Sequence, residues 1–370
     1  MSKLKKPIIC VLTNDFPPAY GGLGIHVGEL YRHLKRDYRL LIMVKKHRND
    51  DYLVLDGMWG TKFKDPEALL LYLKAFDIKL IHNHTIDQGT LRNGVALKLK
   101  KLLSIPMIYT CHSLLAHELE ILEKYDIVRD ADTVVQKEIL QNSDKIIVLS
   151  DASKKMLLKH YPKYKQKTVV LPNCVSDGLS KKMRRKKLRN VVFAGRLVEE
   201  KGVIELALAF SSLLKDSNLK LHVFGQDFSH DKKIETKMKR ILTDVKRKVR
   251  FHGWKDRKKM LDFLGRKDLL ILPSYHETFP FVLLEAMALG VPVVCSDIPN
   301  LKELFIEKGL AVPILPKDPK SIESAVRFCI ENPDKINDMA NKAQAEIKDN
   351  YSWARITEKY KNLYNSMIFK

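Results

Sequence analysis

Short, uninterrupted apolar runs alternating with amphipathic stretches limit what this chain can fold into more than any other feature. "PIICVLT", "RLLIMV", "KLIHNH", "IPMIYTCHS", "DKIIVLS" and "KTVVLPN" occupy the first half, with periodic stretches such as "HVGELYRHLKR" and "TLRNGVALKLKKLLS" between them. Strands that read as continuous apolar runs are covered on both faces, and strands alternating with helices give a parallel sheet. The second half repeats the scheme with "RNVVFAGR", "LKLHVFG", "KVRFHGW", "DLLILPS" and "VPVVCSD". Gly, Ser or Asp closes these runs, where ligand-binding loops leave the carboxyl edge of an open sheet. The expectation is an α/β chain of two doubly wound, Rossmann-like domains facing each other, with function in the cleft between them.

Length agrees with this division, because 370 residues exceed what one core supports and domains of roughly 150 to 200 residues are expected. The first domain is read over residues 1–176 and the second over 191–350. A basic linker, 177–190, joins them: seven of the nine residues from Lys181 to Arg189 are Lys or Arg. Residues 351–370 form a helix with Trp353, Ile356, Tyr360, Leu363, Tyr364 and Met367 along one face, suited to dock back on the first domain.

Composition excludes several classes. The chain is 45% hydrophobic and 30% charged, as globular proteins are. Its five cysteines are odd in number and lack a C-x-x-C pair, which argues against a disulfide framework or a zinc site and fits a reducing, cytoplasmic compartment. The first apolar run is too short for a signal peptide and reads as a buried strand. No apolar stretch of about 18 residues is present to span a membrane. A net charge of +22 calls for an anionic partner: nucleic acid, an anionic membrane surface or phosphate-bearing ligands.

The segment "SYHETFPFVLLEAMALGVPVV", residues 274–294, places two carboxylates in an oily run. After the strand "DLLILPS" comes a loop, His276 to Phe279; Pro280 suits the first turn of a helix and Gly290 its stop. A helix start offers free N–H groups and a positive dipole end to a phosphate. From Phe281 to Glu285 the helix advances roughly 7 Å, so Glu277 and Glu285 flank that position. Carboxylates accept from hydroxyls, and a ligand with hydroxyls at both ends of a diphosphate is a nucleotide-diphosphate sugar.

In this setting the segment resembles the E-x7-E signature of family 4 retaining glycosyltransferases, enzymes of the GT-B fold. "FPPAYGGLGIHVGEL" resembles the family's glycine loop, "YTCHS" its histidine loop, "VLPN" the end of its first domain, "FAGRLVEEKGV" the start of its second, and "YSW" its return helix. The matches come in the family's order and cover most of the chain. The resemblance implies that Arg196 and Lys201 bind the donor diphosphate, the alternative being surface ion pairs to Glu199 or Glu200. It implies that Glu277 holds the donor sugar and Glu285 the ribose, with the backbone N–H groups of Phe281 and Val282 on the phosphates; the alternative for the two glutamates is a capped helix start and a buried structural ion pair. Gly21 and Gly22 would let a loop approach the diphosphate, or merely form a tight turn after Pro17 and Pro18. Gly253 and Trp254 would border the base, and His112 would stand near the reacting centre, or serve as a hydrogen-bonded packing residue. The catalytic set so implied is His112, Arg196, Lys201 and Glu277. The implied reaction moves a hexose-type sugar to an acceptor hydroxyl with retention, by front-side attack. No cofactor and no metal is expected. Cys174, Ser113 and Pro280 depart from the family's usual residues, and Ser113 bears on the sugar or acceptor pocket.

Asp130 to Asp132, "DAD", has the form of a metal-binding D-x-D but lacks a preceding strand, and reads as a helix cap or surface acid. His82 and His84 share one side of a strand end, but two metal ligands lack a third, leaving acceptor-pocket or structural roles. Gly225 to Asp227, "GQD", reads as a strand-end turn. "SKKMLLKHYPKYKQK" and "LKLKKLLS" are basic amphipathic segments: either ordinary surface helices with a solvated Lys face, or surfaces suited to anionic lipid headgroups, which would point to a peripheral enzyme building a lipid-linked or cell-surface glycan. The rival readings are a phosphorylase or nucleotide-sugar epimerase of the same fold, and a basic nucleic-acid binder; the last lacks zinc-finger and RNA-recognition signatures.

Overall fold

The computed structural model describes residues 6–17, 21–45, 52–56, 59–84, 93–117, 127–176, 178–179, 187–229 and 231–369. Most of the basic run after Gly178, residues 180–186, lies outside them. The chain divides into two compact units: Met1–Asn173 with Trp353–Lys370, and Cys174–Ser352.

Unit 1 runs β1 (Ile8–Thr13), α1 (Gly22–Leu34), β2 (Arg39–Lys45), β3 (Tyr52–Asp56), β4 (Trp59–Phe63), α2 (Pro66–Lys74), β5 (Ile78–Asn83), α3 (Asn93–Leu103), β6 (Met107–Thr110), α4 (Ile127–Asn142), β7 (Lys145–Val148), α5 (Asp151–His160) and β8 (Thr168–Val170). Its sheet has the order β4-β3-β2-β1-β5-β6-β7-β8. The apolar runs read from the sequence are its parallel strands, and β1 is buried along its whole length, as a strand covered on both faces must be. The hairpin β3–β4 was not foreseen; it adds two antiparallel strands at one edge.

Unit 2 runs β9 (Asn190–Ala194), α6 (Val203–Leu213), β10 (Lys220–Phe224), α7 (Lys233–Ile241), β11 (Val249–Gly253), α8 (Arg257–Leu264), β12 (Leu269–Leu272), α9 (Phe281–Ala288), β13 (Val293–Ser296), β14 (Val312–Ile314), α10 (Pro319–Glu331) and α11 (Pro333–Asn350). The order is β11-β10-β9-β12-β13-β14, all parallel. Chain direction across each sheet therefore reverses once, between β1 and β5 in unit 1 and between β9 and β12 in unit 2. Loops that leave the carboxyl ends of strands on the two sides of such a reversal part from each other and open a crevice.

The last helix, α12 (Trp353–Ile368), belongs to unit 1 and packs on α1 and β5. Trp353, Ile356, Tyr360, Tyr364 and Met367 are buried as their spacing predicts. Leu363 is only half-buried, and Thr357 fills the inward position instead. Trp353 stacks on His33 at 5.4 Å between ring centroids, and the Tyr38 hydroxyl donates to Asn365 Oδ1 at 2.8 Å. The return of the chain end is thus fixed by aromatic packing with a polar clasp beyond it.

Two lysines of the basic segments do structural work. Lys167 Nζ donates to the carbonyls of Leu140, Gln141 and Ser143 at 2.6, 3.0 and 2.8 Å, and Lys100 Nζ donates to Asn142 O at 2.6 Å and to Asp144. Both close the carboxyl end of α4, where carbonyls lack intrahelical donors and a cation suits the dipole. Asp130 to Asp132 lie within α4 rather than at a strand end. All five cysteines are buried thiols. Among the described residues no helix is long and apolar enough to cross a membrane.

Candidate functional site

In unit 2 the reversal of strand order brings together the loops after β9 and β12. Gly202, in the left-handed region at φ 64°, begins α6 so close to the end of β12 that a Cβ there would lie 2.0 Å from the Pro273 carbonyl oxygen. Tyr275 N donates to Glu200 O at 2.8 Å and stitches the loops together. Lys201 is thereby set beside Glu277: Nζ donates to Oε1 at 2.6 Å, and Ser274 Oγ donates to the same oxygen at 2.8 Å. The Glu277 backbone carbonyl accepts from Asn300 Nδ2 at 3.0 Å. Side-chain exposures of 17% and 10% place the Lys201–Glu277 pair at the floor of the loops. A charge-assisted bond there is stronger than one in water.

Arg196 leaves the end of β9 and remains exposed, with Nη2 donating to Glu200 Oε1 at 3.2 Å. The ion pair weighed as the alternative is therefore present for Arg196, whereas Lys201 turns to Glu277 and not to its neighbours in sequence. An exposed pair of this kind holds the guanidinium weakly, so it is free to turn to a stronger anion.

Helix α9 starts at Phe281, with Pro280 as N-cap and no side-chain cap on its first N–H groups; Pro280 stands one position ahead of the first-turn place expected of it. By contrast α8 is capped by Asp256, which accepts from Lys259 N at 2.8 Å. The amides of Phe281 and Val282 thus open the helix beside Glu277, and four N-terminal N–H groups of any helix lack intrahelical acceptors. At the far end Gly290, at φ 64°, ends the helix, with Val291 N donating to Ala286 O at 2.8 Å. Glu285 is 2% exposed and accepts from Arg257 Nε at 2.5 Å. A buried carboxylate needs such a partner. Arg257, the first residue of α8, was missed by sequence reading, since nothing marks it out in "WKDRKKM".

Gly253 ends β11 at φ 66°, with open space where a Cβ would stand. Trp254 follows, edge-on to Phe228 at 5.8 Å. Gly225 to Asp227 are more than a turn: Asp227 accepts from Ile234 N in the first turn of α7 at 3.0 Å, and its bonds to Ser229, Glu235 and Ile234 hold its carboxyl below the usual range despite burial.

In unit 1, Gly21 is the N-cap of α1 and Gly22 its first residue. His112 follows β6 in a loop held by Gln136, whose Nε2 donates to Ser113 O at 2.7 Å and whose Oε1 accepts from Leu115 N at 2.9 Å. Beside His112 stand His26 and His84, with ring centroids 5.0 and 5.4 Å from it. Burial, together with the neighbouring imidazoles of His26 and His82, pushes His112 well below the usual histidine range. At neutral pH it is therefore an uncharged hydrogen-bonding group. His26 ties two segments quoted from the sequence, for its Nδ1 lies 2.8 Å from Asn173 Oδ1 of "VLPN".

Comparison with known proteins fits this architecture. Residues 20–178 match the model of Glycosyltransferase Family 4, and residues 178–346 that of Glycosyl transferases group 1. The chain belongs to this glycosyltransferase family. An uncharacterized glycosyltransferase of Methanocaldococcus jannaschii, MJ1607, is 30% identical over 180 residues, 47% of this chain and 44% of that protein, so the match spans less than half of the relative. Sucrose-phosphate synthase from Thermosynechococcus elongatus superposes with a TM-score of 0.82 at 20% identity over 98% of this chain and 99% of that one. Anabaena Alr3699/HepE, in complex with UDP-glucose, superposes with a TM-score of 0.76 at 17% identity, covering 97% and 99%. The glycosyltransferase thus has the GT-B type of fold, two Rossmann-like sheets in one chain.

Proposed function

We propose that this glycosyltransferase moves a hexose-type sugar, with retention, from a nucleotide-diphosphate sugar to an acceptor hydroxyl. The observation that carries this reading is the Lys201–Glu277–Ser274 cluster beside the uncapped start of α9, at the strand-order reversal of unit 2. The donor diphosphate occupies the amides of Phe281 and Val282, with Arg196 released from Glu200 and Lys201 as counter-charges. Glu277 takes hydroxyls of the sugar, Glu285 those of the ribose, and the Gly253–Trp254 corner borders the base. Departure of the nucleotide diphosphate builds negative charge on phosphate, which the two cations and the helix start stabilise, and positive charge on the sugar. The leaving phosphate accepts the proton of the incoming hydroxyl on the same face, which gives retention. The proposal keeps Gly21 and Gly22 as diphosphate-side backbone and His112, uncharged, as a hydrogen-bond partner of the sugar. The UDP-glucose complex of Alr3699/HepE supports a nucleotide-sugar donor, and no metal is assigned to the donor site.

Arg196→Ala and Lys201→Ala are expected to lower kcat about 10²- to 10³-fold, the scale of losing one group that stabilises developing charge. Turnover of nucleotide sugars by both variants at the parent rate would end this reading, and the anomeric configuration of the product, read by NMR, decides retention. For the acceptor we propose a lipid-linked or cell-surface glycan, reached by a cytoplasmic enzyme resting on an anionic membrane. The net charge of +22 supports this. Sedimentation with anionic vesicles at low salt and its loss at high salt is the expected behaviour; no sedimentation removes the membrane part.

A further inference from the structure

The histidine cluster of unit 1 holds more than the donor reading uses. His26 from α1, His84 at the end of β5 and His112 after β6 each bring a ring nitrogen within 4.8 Å of the other two. His82 and His84 stand two residues apart at the end of β5, and sequence spacing offers them no third ligand. His82 is committed elsewhere, with Nδ1 2.5 Å from the Tyr364 hydroxyl and Nε2 2.8 Å from Thr110 Oγ1. The third and fourth imidazoles come instead from other elements, which sequence spacing does not reveal.

We propose that His26, His84 and His112 form a binding site for a divalent transition-metal ion of the zinc, cobalt or nickel class. The contact between His84 Nδ1 and His112 Nε2 is 3.1 Å, close to the ~3.3 Å that separates two nitrogens on a tetrahedral ion at 2.0–2.1 Å. His26 Nδ1 faces the Asn173 carbonyl oxygen at 2.8 Å. It therefore carries the proton and leaves the Nε2 lone pair outward, the arrangement by which an outer amide orients a metal-bound imidazole. The Tyr360 hydroxyl stands 3.4 Å from that Nε2, long for an O–H···N bond. His84 is 3% exposed, so its Nδ1 is shielded from bulk water. Burial keeps all three rings in the neutral form that a metal requires. A donor set of imidazoles without carboxylate suits borderline ions over magnesium or calcium. Three protein ligands leave a fourth position open to water or to a hydroxyl. Binding moves a ring proton of His84 or His112 to the opposite nitrogen and needs no other change of protonation. This site shares His112 with the proposed sugar contact, while His26 and His84 have no part in the donor reading.

The test is titration of the chelator-treated full chain with Co(II), followed by its visible absorption. The expected result is a saturable band of four-coordinate Co(II) at one ion per chain. His84→Gln and His26→Gln, with folding checked by circular dichroism, are each expected to weaken binding about tenfold or more, whereas His82→Gln retains the band. X-ray absorption of the Zn(II) form of the parent chain needs no variant and is expected to show three imidazoles at one ion. Absence of a saturable band, a band unchanged in folded His84→Gln, or fewer than three imidazoles around zinc would overturn the proposal.

Discussion

The two strand-order reversals have the same topology and opposite chemistry. At the β9/β12 reversal of unit 2, the side chains are charged and paired: Lys201 with Glu277, Arg196 with Glu200, and Arg257 with Glu285 behind them. At the β1/β5 reversal of unit 1, imidazoles are kept neutral by desolvation and by one another, His26 down to about 4 and His82, His84 and His112 well below the usual histidine range. The same backbone plan therefore carries two kinds of side-chain chemistry. In the proposed function the paired charges of unit 2 hold cations ready for a phosphate at little cost in reorganisation. The neutral rings of unit 1 are the proposed ligands of a borderline metal ion.

The difference predicts opposite ways of breaking the two units. Unit 2 should fail when a charge is removed. Arg257→Met leaves Glu285 buried without its guanidinium, and a loss of about 3 kcal/mol in denaturant unfolding is expected, since removing one partner of a buried pair strands the other. A loss under about 0.5 kcal/mol, the range of ordinary surface substitutions, would show that the pair does not hold α8 to α9. Unit 1 should fail when charge is added. The folded-state pKa of each cluster histidine lies below its unfolded value of about 6.5, so the unfolded chain binds more protons as pH falls. Stability in the presence of a chelator is then full above about pH 6.5 and declines toward pH 4, each imidazole adding about 1.4 kcal/mol per pH unit to the slope. His222, buried in unit 2, is also lowered to about 4, by burial first and then by Lys267, so unit 2 declines too, less steeply. Hydrogen exchange resolved by peptide between pH 7 and pH 4.5 reads both units in one sample. Equal loss of protection in the two would contradict the contrast.

What the sequence disclosed follows from the same physics. Strands covered on both faces are continuous apolar runs, so β1, β2 and β5 through β13 are legible. Between β3 and β4 the sequence "DG" at 56–57 is a hairpin signal, but it stands amid a dominant β-α-β pattern. β14 is three residues, "VPI", too short to register. The loop after β12 was legible because Glu277, Pro280 and Gly290 each stand at a strand or helix boundary with a local reason. Partners brought from a distance were not: Arg257 on Glu285, Gln136 on the His112 loop, and His26 among the histidines are set by tertiary packing. His26 lies within "GGLGIHVGEL", where nothing in the local pattern points to His84 or His112. Asp227 reads as part of a turn, yet its carboxylate reaches the first-turn amides of Ile234 and Glu235 in α7 from outside the helix, a contact set by the fold of the intervening loop.

The central claim is that the charged crevice of unit 2 binds a nucleotide diphosphate and its sugar. Calorimetric titration of the full chain with UDP, GDP and ADP sugars tests it most directly, with Lys201→Ala and Glu285→Ala in parallel. The account predicts saturable binding of one nucleotide class, weakened at least about tenfold in each variant, the scale of a lost charge-assisted bond. Binding of equal strength in the parent and both variants, or none of any nucleotide sugar to the folded parent, would contradict it.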